Sequence, residues 1–256
     1  MSWATRLATQ FRALVKCLRL VAHLLRGLWI IQRRFPGMTQ EQREAQVKAW
    51  AQRSLELLHV RMVHKGRAPV AGPLLLVSNH ISWLDILVMH ASCYCRFVSK
   101  ADIKHWPLIG ALATGAGTLY VERESRRDAM RVVHRMAESL RAGEVVAVFP
   151  EGTTSDGSSV LPFHGNLLQA ALSTGTAVQP MALQFFDSRS LQLSLAPSYI
   201  GEESFVLSVW RTLTLQTVVA RLSFGQMQAP RGQSRREWAI GLRDGVSELM
   251  REPFSL

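Results

Sequence analysis

The chain has 256 residues, of which 48% are hydrophobic and 19% charged, and that apolar share builds a sizeable buried core and excludes a disordered or fibrous chain. Thirty lysines and arginines against nineteen acids leave a formal charge of +11, which points to an anionic partner: nucleic acid, a membrane surface or phosphorylated substrates. Cys17, Cys93 and Cys95 are too few and odd in number for a disulfide framework or a zinc cluster, so Cys93-Tyr94-Cys95 reads as buried thiols and no metal site is expected.

The basic excess is uneven. Arg6, Arg12, Lys16, Arg19, Arg26, Arg33 and Arg34 lie between Met1 and Pro36 with no acid among them. At helical spacing most of these, with His23, share an arc of about 100°, and Leu7, Leu14, Leu18, Val21, Leu25, Leu28 and Trp29 lie opposite. This predicts an amphipathic helix lying in a membrane interface, with Arg12, Lys16, Arg19, Arg26 and Trp29 as its membrane-binding residues. Lying in the plane is the better reading than spanning, because every window of about 20 residues holds Lys16, Arg19 or Arg26 near its middle, each costly in hydrocarbon. Charges throughout the would-be apolar region also argue against a secretory signal. No zinc-finger, RNA-recognition or helix-turn-helix signature supports a nucleic-acid partner.

Phe35-Pro36-Gly37 breaks the first helix, and Thr39 with Gln42 reads as a capping box opening a second, expected to run to about His64. Residues 1–66 are therefore expected to form a membrane-docking two-helix hairpin, and residues 67–256 an α/β domain. In the latter, Leu74 to Ser78, Thr118 to Val121, Val145 to Phe149 and Thr176 to Phe185 hold strands, with Val218 to Phe224 as a late one. A helix capped by Ser125 and stopped at Gly143 lies between the second and third, and a closing helix runs from Arg235 to Met250. Such alternation predicts a mixed, largely parallel sheet flanked by helices. Gly157 to Phe186 carries no formal charge, and its prolines and glycines make it a loop, a buried helix and a strand rather than a span.

Three clusters of reactive side chains follow strand ends, where open α/β sheets hold their ligands. After the first strand come Asn79, His80 and Asp85, and a carboxylate at that spacing can fix the tautomer of an imidazole acting as general base. After the second come Glu122 and Arg123, an arginine able to grip a phosphate. After the third come Glu151, Gly152, Thr153, Thr154 and Ser155, whose backbone amides and hydroxyls suit an anion.

Taken together, these blocks resemble the 1-acyl-glycerol-3-phosphate acyltransferase family, bacterial membrane glycerolipid acyltransferases. The N-H-x4-D block matches Asn79, His80 and Asp85; the G-x-x-F/Y-x-x-R block matches Gly117, Tyr120 and Arg123; the F-P-E-G-T block matches Phe149 to Thr153; a late strand proline matches Pro180. The resemblance implies that His80, oriented by Asp85, activates a lysophospholipid hydroxyl. Arg123, Glu151, Gly152 and Thr153 would hold the acceptor. Acyl-CoA or acyl-carrier protein would be the donor, with no further cofactor, and 1-acyl-glycerol-3-phosphate the acceptor, giving phosphatidic acid at the cytoplasmic face of the cell inner membrane. No G-x-S-x-G elbow offers a serine route, and Ser82 reads as a helix cap. Two departures stand out: Thr154 where many members carry arginine, and His164 where a lysine is common. Another lysolipid, such as a lyso-aminolipid, is therefore the alternative acceptor, and a silent lipid-binding module the competing class.

Overall fold

The computed structural model describes residues 3–121, 126–201 and 203–254. Helix α1 (Trp3–Arg33) and helix α2 (Gln40–Leu58) are joined through a short 3-10 turn at Phe35–Gly37. The Thr39 hydroxyl accepts from the Gln42 amide at 3.3 Å and the Gln42 side chain accepts from the Thr39 amide at 3.0 Å, forming the expected capping box.

α2 ends at Leu58 rather than near His64. His59 adopts a left-handed conformation (φ 59°) that closes the helix, and Val60–Lys65 is strand β1. Met62, read from its spacing as a helical anchor, instead belongs to a strand paired in register with β7. Residues 60–65, assigned from sequence to the hairpin, are thus part of the sheet.

The remaining strands are β2 (Leu74–Ser78), β3 (Arg96–Lys100), β4 (Leu119–Val121), β5 (Val145–Val148), β6 (Val178–Asp187) and β7 (Val218–Phe224). Their order is β1-β7-β6-β2-β5-β3-β4. Every neighbouring pair is parallel except β6 with β7. β2 through β6 therefore point the same way, and the carboxyl ends of β2 and β5 lie side by side at one edge.

Helices cover both faces, which is why β2 reads as an unbroken apolar run. Leu74 and Leu76 face a core completed by Leu55 and Leu58 of α2 and by Leu84 and Val88 of helix α3 (Leu84–Ser92). Leu75 and Val77 face the opposite core. There they meet Val132, Met136 and Leu140 of α5 (Arg126–Arg141) and Trp238 and Leu242 of α8 (Arg235–Arg251). Two short helices, α4 (Ile109–Gly115) and α6 (Gln169–Thr174), and α7 (Phe205–Thr214) complete the layers. Gly157 to Phe186 is a loop, α6 and most of β6, and no described helix is long and apolar enough to cross a membrane.

α1 packs against α2, α4 and α7 through Ala13, Lys16, Gly27 and Ile30. Its aliphatic stripe turns away from the protein: Leu7, Leu14, Leu18, Val21 and Leu25 are exposed, and Trp29 is 53% exposed. Arg12, Arg19 and Arg26 are exposed beside that stripe. Lys16 is not. It is only 7% exposed, and its Nζ donates to the Leu215 carbonyl at 2.8 Å, so the expectation that Lys16 binds the membrane is corrected. Helical spacing grouped it with the arginines, but α1 buries a narrow strip of that arc against α7. His23 likewise turns inward, stacking on Trp50 at 4.9 Å and bonding to its carbonyl.

Candidate active site

β2 delivers the first block. Asn79 is fully buried, and its amide forms a reciprocal pair with β6, Nδ2 donating to the Leu183 carbonyl and Oδ1 accepting from the Leu183 amide, both at 2.9 Å. The chain then turns through His80 to Trp83 before α3 begins, so the His–Asp pair meets at a turn entering the helix. His80 Nδ1 and Asp85 Oδ2 are 2.7 Å apart. The same oxygen accepts from the Ile81 and Ser82 amides at 2.7 and 3.0 Å. Asp85 is fully buried, and its Oδ1 has no hydrogen-bond partner among the described residues. Ser82 Oγ accepts from the Leu84 amide at 3.3 Å, but the N-cap of α3 is Trp83, with no side-chain cap hydrogen bond, so Ser82 sits one residue ahead of the cap expected of it.

β5 delivers the second block beside the first. The His80 ring lies parallel to Phe149 at 3.9 Å. Glu151 is buried, with Oε2 accepting from the His80 amide at 3.2 Å and Oε1 from the Leu161 amide at 3.1 Å. Burial pushes its carboxyl up to about 7; repulsion from Asp85 adds to the rise and the two amide hydrogen bonds oppose it. Ser155 donates from both its amide and its hydroxyl to the His80 carbonyl. Gly152 sits at φ 72°, where a side chain would be strained, and a Cβ there would approach the His164 ring at 3.5 Å. Thr154 Oγ1 donates to the Tyr199 carbonyl.

A cavity of about 650 Å³ opens at His80. Phe149, Gly152, Thr153 and Tyr199 lie at its reactive end, and Leu24, Ile30, Val47 and Trp50 from the hairpin continue its apolar wall. His90 of α3 also lines it, packed edge-on to Phe97 at 4.9 Å, and burial drives its imidazole down to about 4.

Of the residues expected from sequence, His80, Asp85, Glu151, Gly152 and Thr153 converge here. Arg123, with Glu122 and Ser125, lies outside the described residues. Phe149 was legible as part of a motif but not as the platform under His80. His90 and Tyr199 gave no signal, because only tertiary packing brings α3's far end and the 199–201 loop to the cavity. Cys93 and Cys95 are buried free thiols. Among the described residues no three His, Cys, Asp or Glu side chains gather as a metal site.

The acyltransferase family model matches residues 59–184, a stretch containing both blocks. Over 210 residues the chain is 38% identical to a lyso-ornithine lipid O-acyltransferase of Pseudomonas aeruginosa, an alignment covering 80% of each chain. Over 177 residues it is 34% identical to a 1-acyl-sn-glycerol-3-phosphate acyltransferase of Neisseria meningitidis, covering 69% of this chain and 68% of that one. The chain belongs to the 1-acyl-glycerol-3-phosphate acyltransferase family.

It is a lysolipid acyltransferase of that family. The crystal structure of the 1-acyl-sn-glycerophosphate acyltransferase PlsC from Thermotoga maritima superposes with a TM-score of 0.65 at 19% identity, covering 94% of this chain and all of that one. That likeness establishes the shared fold: a mostly parallel sheet flanked by helices, with a long amino-terminal helix. At the two positions where the sequence departs from the pattern it resembles, the Thr154 hydroxyl donates to the Tyr199 carbonyl and the His164 ring lies close to Gly152.

Proposed function

We propose that this acyltransferase moves a fatty acyl group from an acyl thioester, acyl-CoA or acyl-carrier protein, to the free hydroxyl of a lyso-aminolipid. The observation that carries the chemistry is the His80–Asp85 pair at the cavity. Asp85 occupies Nδ1, leaving Nε2 with no protein hydrogen bond among the described residues, on a ring that lines the cavity. Nε2 takes the proton of the acceptor hydroxyl as its oxygen attacks the thioester carbonyl carbon. The carbon–sulfur bond breaks, and the departing thiolate recovers the proton from the imidazolium. An ester and a free thiol result. A positioned base contributes about 10²- to 10⁴-fold, and holding both lipids against the ring supplies much of the rest.

Two features support a lyso-aminolipid acceptor: the relative in P. aeruginosa carries that kind of name, and Thr154 and His164 stand where cations would grip a phosphate. The relative in N. meningitidis favours a second reading, acylation of 1-acyl-glycerol-3-phosphate to phosphatidic acid, in which Arg123 with Glu151, Gly152 and Thr153 holds the glycerol phosphate. Thiol release from acyl-CoA with a panel of lysolipids tests both. A lyso-aminolipid accepted faster than 1-acyl-glycerol-3-phosphate supports the first reading, and the reverse order establishes the second. No thiol release with any acceptor would make the protein a lipid binder. His80→Ala should abolish release while leaving the fold intact.

The exposed stripe of α1 supports a second part of the proposal. It lies in the lipid interface at the cytoplasmic face of the inner membrane, with Arg12, Arg19 and Arg26 among the head groups and Trp29 at the boundary. Each such cation adds about 1 kcal/mol on an anionic surface.

A further inference from the structure

The wall of the cavity alternates between inside and outside at four places. On α1, Leu20 and Leu24 line the cavity while their neighbours Val21 and Leu25 are exposed. At the start of α4, Ile109 lines it and Leu108 is 39% exposed. Ahead of α7, Tyr199 and Gly201 line it and Ile200 between them points outward, 44% exposed. On α7 itself, Phe205 and Val209 line it, whereas Val206 and Leu207 are 72% and 62% exposed.

α1 packs directly on α4 and α7, so these outward aliphatic side chains belong to neighbouring elements around one cavity. Singly exposed aliphatic residues need no explanation, but their recurrence on α1, α4, α7 and the 199–201 loop, each next to a residue that lines the same cavity, does. Charge selects the occupant. α1 carries exposed Arg12, Arg19 and Arg26 beside its aliphatic stripe and the first 36 residues of the chain hold no acid, while Arg211 of α7 is neutralised by Glu203. Exposed cations beside apolar side chains match an anionic lipid surface.

We infer that α7 and the 199–201 loop enter the lipid together with α1, beside the wall of the cavity that they help to line. This rests on the interfacial reading of α1 and adds two elements that hairpin docking does not require. Val206, Leu207 and Ile200 are the inserted side chains. Arg211 clamps the loop to the helix, donating to the Ala196 carbonyl at 2.8 Å and to the Ser198 carbonyl, so the two move as one piece.

The test compares the full-length wild type with Val206→Ser/Leu207→Ser and with Leu14→Ser/Leu18→Ser on α1. Partition is measured on phosphatidylethanolamine vesicles doped with phosphatidylglycerol. Activity is measured on vesicle-embedded lysolipid and on a short-chain lysolipid below its micellar concentration. The α7 variant should lose about a hundredfold or more in partition, as expected for two aliphatic side chains leaving an apolar phase, and a similar factor in rate on vesicles, with short-chain activity unchanged. Wild-type partition by the α7 variant alongside loss in the α1 variant overturns this inference and leaves the α1 reading standing. A wild type that ignores vesicles overturns both. A dimer in solution that the α7 substitutions dissociate, without altering vesicle partition, assigns the face to a second copy instead.

Discussion

The imidazole of His80 lies face to face with the phenyl ring of Phe149, 3.9 Å between centroids and 8° from parallel. The Asp85 hydrogen bond restrains the ring within its plane, and the stack restrains it along the normal. Phe149→Leu keeps an apolar side chain but removes the flat platform, whose stacking is worth about 0.5–1.5 kcal/mol. We expect kcat to fall by about tenfold with KM unchanged, since small misplacements of a base are costly. Steady-state thiol release measures both, and a kcat within twofold of wild type would show that Asp85 alone holds the ring.

Asp85 uses one oxygen for three donors, His80 Nδ1 and two backbone amides. Asn in its place can offer that oxygen to the amides or its NH₂ to Nδ1, and the latter puts the imidazole proton on Nε2, where the base must be free. Asp85→Asn should lower kcat by about 10³- to 10⁴-fold, the scale of an orienting carboxylate in a hydrolytic triad. Single-turnover thiol release checks this, with circular dichroism confirming the fold.

Glu151 titrates at about 7, above the ordinary carboxyl value of 4.5, chiefly because it is buried. Its folded form holds a proton that the unfolded chain gives up earlier. The sign follows: its cost to stability grows as pH rises from 4.5 to about 7 and then levels off. Glu151→Gln removes the titration but keeps an acceptor oxygen for only one of the His80 and Leu161 amides and turns its NH₂ toward the other, a fixed cost independent of pH. The stability of the variant relative to wild type should therefore rise as pH increases across that window, and any inflection of kcat near pH 7 should disappear. Chemical denaturation and a pH–rate profile read the two effects.

His90 behaves in the opposite sense. Burial holds its imidazole down to about 4 against an ordinary 6.5, so the unfolded chain binds the proton first. Stability falls as pH drops from 6.5 toward 4. His90→Phe, close in size and not titratable, should move the acid-unfolding midpoint to lower pH. An unchanged midpoint would place the acid lability elsewhere.

Lys16 and the arginines of α1 should separate in experiment. Arg12→Glu/Arg19→Glu/Arg26→Glu should release the protein from anionic vesicles with little change in Tm. Lys16→Met leaves the Leu215 carbonyl without its donor and should cost about 1–2 kcal/mol of stability with vesicle binding retained. Sedimentation with vesicles and thermal unfolding distinguish the two.

These contrasts show where the sequence was legible. β2, β7 and α8 lay close to their expected positions because each is bounded by strong local signals: a buried aliphatic run, or the capping box in which Ser234 and Glu237 exchange hydrogen bonds. β1 was hidden because Leu55, Leu58 and Met62 keep a helical period through His59, and only its left-handed turn breaks it. β3 and α7 went unnoticed because Arg96–Lys100 alternates too briefly, and Ser204 gives α7 no side-chain cap hydrogen bond. The His80–Asp85 pair was readable from spacing, since both sit on one short turn. The cavity was not, because α1, α3, β3 and α7 meet there only through packing, and the inward turn of Lys16 depends on where α7 lies.

The Asn79 clamp carries an evolutionary consequence. Both of its hydrogen bonds go to the main chain of Leu183, so the contact itself does not read the side chain at 183, which is held instead by its burial in the core. Asn79 itself has no latitude: aspartate lacks the donor and would bring an uncompensated charge indoors, and leucine would strand two strand-edge groups. The catalytic turn is thereby tethered to a backbone rather than to a side chain, so position 79 answers to hydrogen bonding while position 183 answers only to core packing.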